Sequence, residues 1–301
     1  MTALLIMGPT ASGKSALALE LARHVDGEIV NADSMQVYGD LRVLTARPTP
    51  EEEAQIPHHL YGHVDAAERY SAGRWVDDAT AAITAIEARG RTPIVVGGTG
   101  LYFKALTEGL APAPAAPAEV RARLAAELAQ EGAEALHERL ALIDPDAARR
   151  IGIADAPRIL RALEVAESGE KLSELQQKAE APLKRWRGFA LWPEREALYA
   201  VIERRFDAMM AAGALDEVRA LAARGLDPTL PAMKAHGAPA LMAHLRGEIA
   251  LAEAIEIAKR DTRRYAKRQF TWMAHQMPDW PRIADADLHA RLVAIRAGFV
   301  Q

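Results

Sequence analysis

Cysteine is absent from the 301-residue chain, and no apolar run approaches the length of a membrane-spanning helix. The absence of thiols excludes disulfides, thiolate zinc sites, iron–sulfur clusters and a cysteine nucleophile. Aromatic residues contribute only 5% of the chain, yet 50% of the residues are hydrophobic and 26% are charged, a balance that excludes wholesale disorder. We therefore expect a globular, cytoplasmic protein that does not enter a membrane.

An excess of charge of one sign is also lacking. The 37 lysines and arginines nearly balance the 41 aspartates and glutamates, which leaves a formal net charge of -4 at pH 7. Such a balance gives no overall sign of nucleic-acid binding. It does not exclude a local basic face, because the charge nearest to a ligand steers binding.

Strand and helix patterns alternate through the first hundred residues. Apolar or β-branched runs at residues 4–7, 28–32 and 92–96 predict strands, and apolar periodicity predicts helices over residues 14–24 and 72–89. Strands that alternate with helices predict an α/β fold in which a parallel sheet is covered on both faces. Ligands of such sheets bind at the carboxyl ends of the strands, so we expect the functional site there.

A phosphate-binding loop (P-loop) motif directly follows the first predicted strand. It matches the pattern G-x-x-x-x-G-K-S/T at every position and consists of Gly8, Pro9, Thr10, Ala11, Ser12, Gly13, Lys14 and Ser15. In this motif, which is typical of ATP-binding and other nucleotide-binding proteins, backbone N–H groups and a helix N-terminus bind phosphate. Lys14 adds a positive charge, and the Ser15 hydroxyl is a candidate Mg²⁺ ligand.

Polar groups follow the other two predicted strands. The strand at residues 92–96 ends in glycines and Thr99, and not in the aspartate that holds magnesium in P-loop ATPases and GTPases. Asp33 and Ser34 follow the second strand. Asp33 could hold a metal, cap the next helix, or act as a general base toward an OH or NH₂ group. The loop could then bind any diphosphate leaving group rather than a nucleoside triphosphate.

The domain organisation follows from a composition break at residues 110–117, where prolines indicate a stiff linker. Beyond it the pattern is helical until strand character returns at residues 188–192, and after residue 194 we predict only helices. We predict an all-helical insertion at residues 113–187 within a P-loop core formed by residues 1–112 and 188–301.

Two further clusters bear charge or metal-binding groups. Six cations share one face of a predicted C-terminal helix, namely Lys259, Arg260, Arg263, Arg264, Lys267 and Arg268, with Asp261 as the single acid among them. This face either binds a phosphate backbone or is a solvated surface with aromatic residues buried behind it. A histidine cluster resembles a metal site and consists of His58, His59 and His63. The four-residue spacing of the last two would bring them together only on a helix, and the nearby Pro57 and Gly62 disfavour a helix.

Five motifs together resemble the bacterial tRNA dimethylallyltransferases, in family order and spacing across residues 3–275. They are the P-loop, ADSMQVY at 32–38, PHHL at 57–60, VGGTGLY at 96–102 and AKRQFTW at 266–272. The resemblance implies Mg²⁺-dependent transfer of a dimethylallyl group from dimethylallyl diphosphate to the exocyclic amine (N6) of an adenosine in tRNA. That adenosine lies just 3′ of the anticodon and is flipped out of the anticodon loop.

The resemblance also implies roles for individual residues. Asp33 takes the amine proton, Thr99 contacts the oxygen between diphosphate and dimethylallyl, and Arg195 joins the P-loop in binding diphosphate, with Mg²⁺ at Ser15. The implied tRNA contacts are Asp33, Ser34, Met35, Gln36, Thr99, Arg121, Pro157, Arg158, Ile159, Leu160, Arg161, Lys267 and Arg268.

The chain departs from the family pattern at a second diphosphate-binding arginine, whose position is occupied by Val201. Arg205 lies one helical turn further along. Since helical side chains lean toward the N-terminus, we predict that Arg205 substitutes for the missing arginine. The Gly237–Ala240 segment also lacks a cation that many relatives have, and Pro157 and Leu160 stand where polar residues are commoner.

Two other classes of function remain open at this point. A P-loop kinase of a small metabolite would use the loop and Asp33 but leave the basic helix face without a role. A non-catalytic, nucleotide-switched RNA-binding protein would use that face but leave Asp33 and Thr99 idle. Prenyl transfer to a free adenine nucleotide is a nearer alternative, although the insertion and the basic face favour a macromolecular acceptor. We expect a monomer.

Overall fold

The computed structural model describes residues 1–300, with side chains as far as residue 297. The chain divides into two compact units, Met1–Thr107 with Leu183–Gln301, and Glu108–Pro182. The second unit corresponds to the inserted segment, but it begins and ends earlier than the expected 113–187. It ends before residue 187 because Trp186 and Arg187 already pair with the first strand of the first unit.

A six-stranded, fully parallel sheet forms the centre of the first unit. Its strands are β1 (Ala3–Met7), β2 (Gly27–Asn31), β3 (His58–His59), β4 (Thr92–Gly97), β5 (Trp186–Leu191) and β6 (Arg282–Ile283). Their order across the sheet is β3-β2-β4-β1-β5-β6. The predicted α/β fold with a parallel sheet is confirmed.

The two edge strands were not predicted from the sequence. β3 and β6 have two residues each, and β6 shows that the expectation of only helices beyond residue 194 is wrong. Strands this short carry no periodic pattern, so they are defined only by pairing with a longer neighbour. His58 and His59 pair with Ile29 and Val30 of β2 in this way.

Helices cover both faces of the sheet. Those of the first unit are α1 (Lys14–Val25), α2 (Pro50–Gln55), α3 (Ala72–Ala88), α4 (Gly100–Glu108), α9 (Arg195–Ala211), α10 (Ala214–Ala223), α11 (Ala238–Leu245), α12 (Leu251–Gln276) and α13 (Leu288–Val300). Along β1, Leu5 and Met7 enter a large core with α3, α4 and α9 to α12, whereas Leu4 and Ile6 enter a smaller core beneath α1 and α13. Over the described length of the chain, no helix combines the length and apolar character that crossing a bilayer requires.

The inserted unit is all-helical, as predicted. It contains α5 (Ala118–Ile143), α6 (Pro145–Arg150), α7 (Ala156–Ala166) and α8 (Leu172–Gln177). Its own hydrophobic core includes Leu140 and Leu163. Its helices are interrupted at Gly132 and at Asp144. Gly132 adopts φ 83° inside α5, and the buried Asp144 carboxylate accepts N–H bonds from Ala147 at the start of α6 and from Ser173.

Glu28, near the start of β2, is the centre of a cluster of ion pairs. Its carboxylate accepts hydrogen bonds from Arg89 at 2.6 Å and Arg91 at 3.3 Å, and His59 Nε2 lies 2.6 Å from Oε2. The Glu28 side chain is only 3% exposed. Burial alone would raise its pKa, but the hydrogen bonds from Arg89 and His59 outweigh that effect and lower the pKa of Glu28 to about 2.

This cluster predicts a pH-dependent contribution to stability. Because the folded-state pKa of Glu28 is depressed, the stabilisation is complete above the ordinary value of 4.5 and is lost as the pH falls toward 2. We expect Glu28→Gln to lower the free energy of unfolding by about 1–2 kcal/mol at pH 7, and by roughly half as much at pH 3. Urea unfolding of both proteins across this pH range measures the difference. A deficit that stays constant would contradict the expectation.

Candidate functional site

The P-loop connects β1 to α1, as the sequence predicted. Gly13 precedes α1 with φ 82°, a left-handed conformation that favours glycine. A Cβ on Gly8 would lie 2.8 Å from Ser12 Oγ, so the loop also has no room for a side chain there. The N–H of Gly8 donates to the Gly97 carbonyl at 3.3 Å, which joins the loop to the end of β4.

Lys14 and Ser15 begin the helix that follows the loop. Lys14 Nζ lies 3.4 Å from the Pro9 carbonyl oxygen. Desolvation lowers the pKa of Lys14 to about 8, the Asp33 carboxylate acts in the opposite direction, and the Arg205 cation adds to the lowering. An anion bound in the loop would therefore favour the charged lysine. Ser15 is exposed at the first turn of α1, where its hydroxyl is available to a ligand.

Asp33 leaves β2 in a tight turn. Its N–H donates to Asn31 Oδ1 at 2.9 Å, and its own Oδ1 accepts the N–H of Met35 at 2.9 Å. Among the described residues, Asp33 Oδ2 has no hydrogen-bond or ion-pair partner. One carboxylate oxygen thus orients the side chain, and the other is available to accept a proton.

Thr99 joins the ends of β2 and β4. Its N–H donates to the Ala32 carbonyl at 3.1 Å, and its Oγ1 accepts the N–H of Ser34 at 2.9 Å. The Thr99 hydroxyl also lies 3.2 Å from Ser34 Oγ. The structure therefore brings together the P-loop, Asp33 and Thr99, the three groups expected at the carboxyl edge of the sheet.

A pocket opens beside these groups, with about 570 Å³ of empty space including its mouth. Its polar lining comes from Thr10, Asp33, Thr45, Arg205, His236, Thr262 and Tyr265, and its apolar lining from Met35, Leu44, Ile202, Phe206 and Met209. The His236 and Tyr265 rings are 4.2 Å apart, and burial lowers the pKa of His236, which favours the neutral imidazole. The pocket thus combines a cationic end with an apolar wall.

Arg205 reaches the P-loop. Its Nη2 donates to Thr10 Oγ1 at 2.5 Å, across the pocket that both residues line. Val201, one turn earlier on α9, is partly exposed. Arg195 lies at the start of α9 with its guanidinium 5.5 Å from the centre of the Phe270 ring. The structure therefore places Arg205 beside the P-loop, as the sequence predicted. Arg195, in contrast, contacts an aromatic ring.

The residues that follow Asp33 are engaged in different ways. Met35 lines the pocket. Ser34 is bonded to Thr99 through its N–H. Gln36 Nε2 donates to the carbonyls of Thr45 and Ala46, both at 2.8 Å, and so supports the loop that forms one pocket wall. Of these three candidate tRNA contacts, Met35 has the most direct access to the pocket.

The candidate tRNA contacts in the insertion fall into two groups. Arg121 on α5 and the α7 residues Pro157 and Arg158 are exposed. Ile159, in contrast, has no exposed surface and lies in the core of the insertion, so its expected direct contact with tRNA is wrong. The half-buried Leu160 packs against that core, and Arg161 donates to the Ala113 and Pro114 carbonyls.

The basic face of α12 is partly neutralised within the protein. Four of its six cations face carboxylates in the pairs Lys259–Asp207, Arg263–Glu203, Arg260–Asp261 and Arg264–Asp261. These pairs set three carboxylates against six cations, which leaves the face with an excess of positive charge. Lys267 and Arg268 are exposed, and within the described part of the chain neither has a carboxylate partner. The Arg268 guanidinium lies over the Tyr265 ring.

Known protein families match most of the chain. The IPP transferase family model matches residues 36–276, and an isopentenyl transferase model matches residues 1–61. The chain belongs to the IPP transferase family. A tRNA dimethylallyltransferase from Nitrobacter hamburgensis is 57% identical over 300 residues, which are 98% of this chain and 95% of that protein.

Solved structures agree with this assignment to the IPP transferases. A full-length tRNA isopentenylpyrophosphate transferase from Bacillus halodurans is 35% identical with a TM-score of 0.72, covering 99% of this chain and 95% of that one. A eukaryotic dimethylallyltransferase described as acting on tRNA is 30% identical with a TM-score of 0.83, covering 99% and 79%. The family resemblance and the fold predicted from the motifs are confirmed.

Two residues at the P-loop were missed by sequence reasoning. The buried Arg291 of α13 donates to the Ser12 carbonyl at 2.8 Å, on the side of the smaller core. The buried Gln269 of α12 accepts the N–H of Thr10 at 2.8 Å. Gln269 lies within the AKRQFTW motif, but no local signal distinguishes it from a solvated glutamine. Arg291 has no motif at all.

The position of Arg205 predicts its effect on anion binding in this IPP transferase. Removing a charge-assisted contact to the bound anion costs about 1.5–3 kcal/mol, so Arg205→Ala is expected to weaken the binding of inorganic diphosphate about 10–100-fold. Isothermal titration calorimetry measures this directly. Arg204→Ala is the matched control, because Arg204 is its exposed neighbour on α9. Equal affinities for the two variants would show that Arg205 does not substitute for the missing family arginine.

Proposed function

We propose that the protein transfers a dimethylallyl group from dimethylallyl diphosphate to N6 of the adenosine 3′-adjacent to the anticodon in tRNA. The observation that carries the proposal is the pocket in which the P-loop residue Thr10, the cation of Arg205 and the carboxylate of Asp33 meet an apolar wall. The names of the N. hamburgensis, B. halodurans and eukaryotic relatives support the same reaction.

The donor diphosphate would bind at the cationic end of the pocket. Backbone N–H groups of the P-loop and the positive end of α1 face that anion, and Lys14 and Arg205 add full charges. These groups matter most as negative charge accumulates on the departing diphosphate. The Thr99 hydroxyl would donate to the bridging oxygen, to which the dimethylallyl carbon is attached. The apolar wall suits the five-carbon group.

The acceptor amine would attack from the side of Asp33. The N6 nitrogen forms a bond to the dimethylallyl carbon as the carbon–oxygen bond breaks, and diphosphate leaves with the electron pair. The amine proton passes to Asp33 Oδ2, the oxygen that no other described residue occupies. An exocyclic aromatic amine is a weak nucleophile, so the base and the leaving-group cations contribute together.

The residues present suit a magnesium ion that is bound mainly through the donor. The described residues include no group of three carboxylates or histidines that could enclose a metal. Mg²⁺ often keeps several waters and takes one or two protein ligands besides substrate phosphates, which the exposed Ser15 hydroxyl fits. When bound, Mg²⁺ would neutralise charge on the diphosphate. Ser15 is the residue that we propose to hold it.

The tRNA would be held by exposed cations. Lys267 and Arg268 on α12 are exposed in the first unit, and Arg121 and Arg158 are exposed in the insertion. Such side chains bind the phosphate backbone, with a strength that falls as salt is raised. Met35 lines the pocket where the flipped adenosine would enter. The monomeric state and cytoplasmic location stay predictions.

The rival functions fit the pocket less well. A kinase of a small polar metabolite has no use for an apolar wall that includes Leu44, Phe206 and Met209. β4 also runs into Gly98 and Thr99, without the carboxylate that P-loop NTPases place at such a strand end. A non-catalytic RNA-binding protein leaves the free oxygen of Asp33 without a role.

Replacing the base gives the sharpest test of this function. Asp33→Asn keeps an oxygen for the Met35 N–H but removes the proton acceptor, so kcat is expected to fall about 10²–10⁴-fold while KM for the stem-loop changes little. Mass spectrometry of an anticodon stem-loop after timed incubation with dimethylallyl diphosphate and Mg²⁺ gives the rates. Asp77→Asn, at an exposed position of α3, is the control. Equal rates for the two variants would remove Asp33 from the mechanism.

A further inference from the structure

The side-chain amide of Gln269 connects the P-loop to the turn after β4. Its Oε1 accepts the N–H of Thr10 at 2.8 Å, and its Nε2 donates to the Gly98 carbonyl at 2.8 Å. The residue is only 4% exposed. Both ends of one buried amide are therefore used to hold together two segments that are far apart in the sequence.

The residues on either side of this amide, Gly98 and Thr10, accommodate it closely. A Cβ on Gly98 would lie 2.2 Å from Gln269 Nε2, so the amide occupies the space that any other residue at position 98 would fill. On the opposite side, Thr10 uses its N–H for Gln269 and its hydroxyl for Arg205. Thr10 thus links the amide to the cation that faces the diphosphate position.

We propose that Gln269 is a positioning residue that sets the spacing between the diphosphate cradle and Thr99. The proposal rests on the function proposed above and deepens it. Thr10 is part of the cradle, and Thr99 directly follows Gly98, so one side chain of α12 is bonded to both segments that contact the leaving group. A main-chain bond from Gly8 N–H to the Gly97 carbonyl also joins the loop to the end of β4, and at 3.3 Å it is longer than either bond of Gln269.

This role predicts a specific kinetic signature. The P-loop amides and Lys14 would still bind the diphosphate in the ground state without Gln269. The Thr99 hydroxyl contributes mainly as the carbon–oxygen bond breaks, so a shift of Thr99 relative to the diphosphate weakens the transition state more than the bound donor. The loss is therefore expected in kcat and not in KM.

The test begins with Gln269→Met, which keeps the length of the side chain and removes both hydrogen bonds. We expect kcat for addition of the five-carbon unit to fall about 10–100-fold, with KM for dimethylallyl diphosphate within about threefold of wild type. Gln276→Met is the control on the same helix, since Gln276 is exposed and its amide pairs with Lys104. Calorimetric titration with inorganic diphosphate checks that the cradle is intact.

A second variant tests the same contact from the other side. Gly98→Ala keeps the glutamine in the sequence, but the added Cβ displaces its side-chain amide. We expect this variant to show the same loss in kcat. It therefore provides a test even if Gln269→Met does not fold. A kcat within threefold of wild type in a folded variant overturns the inference. So does a KM that rises tenfold at unchanged kcat, because Gln269 would then only shape the loop. A wild-type protein that adds no five-carbon unit contradicts the proposed function instead.

Discussion

Three neighbouring parallel strands, β1, β2 and β4, end at the same level of the sheet, and the functional site depends on this alignment. The last pairs in the register are Met7–Gly97 between β1 and β4, and Asn31–Val96 between β2 and β4. Three loops therefore leave the sheet at one edge and meet there. A Cβ on Gly97 would lie only 2.0 Å from the Ala32 carbonyl oxygen, so the strand ends come this close because that side chain is missing.

Desolvated positive charge gives this edge its chemistry. Burial lowers the pKa of both Lys14 and Arg205, while the Asp33 carboxylate opposes the effect in each case. A bound diphosphate carries more negative charge than a single carboxylate, so it would offset the cost of burying these two cations more fully. Diphosphate in the loop is therefore favoured over water. The Met35 N–H binds one oxygen of the Asp33 carboxylate and so orients the group. The other oxygen is left to accept the proton of the amine.

Local patterns in the sequence predicted much of this, and tertiary contacts account for the rest. The P-loop, the longer strands and the helical insertion depend on neighbouring residues, so motif and periodicity identified them. The ion pairs of the α12 face with Asp207 and Glu203 of α9 could not be predicted, because no local pattern records how the two helices pack. Gln269 was overlooked for the same reason, since only the fold brings its amide to Thr10 and Gly98.

The most direct test is to offer the wild-type protein two acceptors with dimethylallyl diphosphate and Mg²⁺: an anticodon stem-loop with adenosine 3′ of the anticodon, and free AMP. Mass spectrometry after nuclease digestion locates any added five-carbon unit. The pocket and the family predict one unit on the N6 of that adenosine and none on AMP. An unmodified stem-loop, together with consumption of ATP when ATP is supplied, would contradict the proposal and favour a kinase.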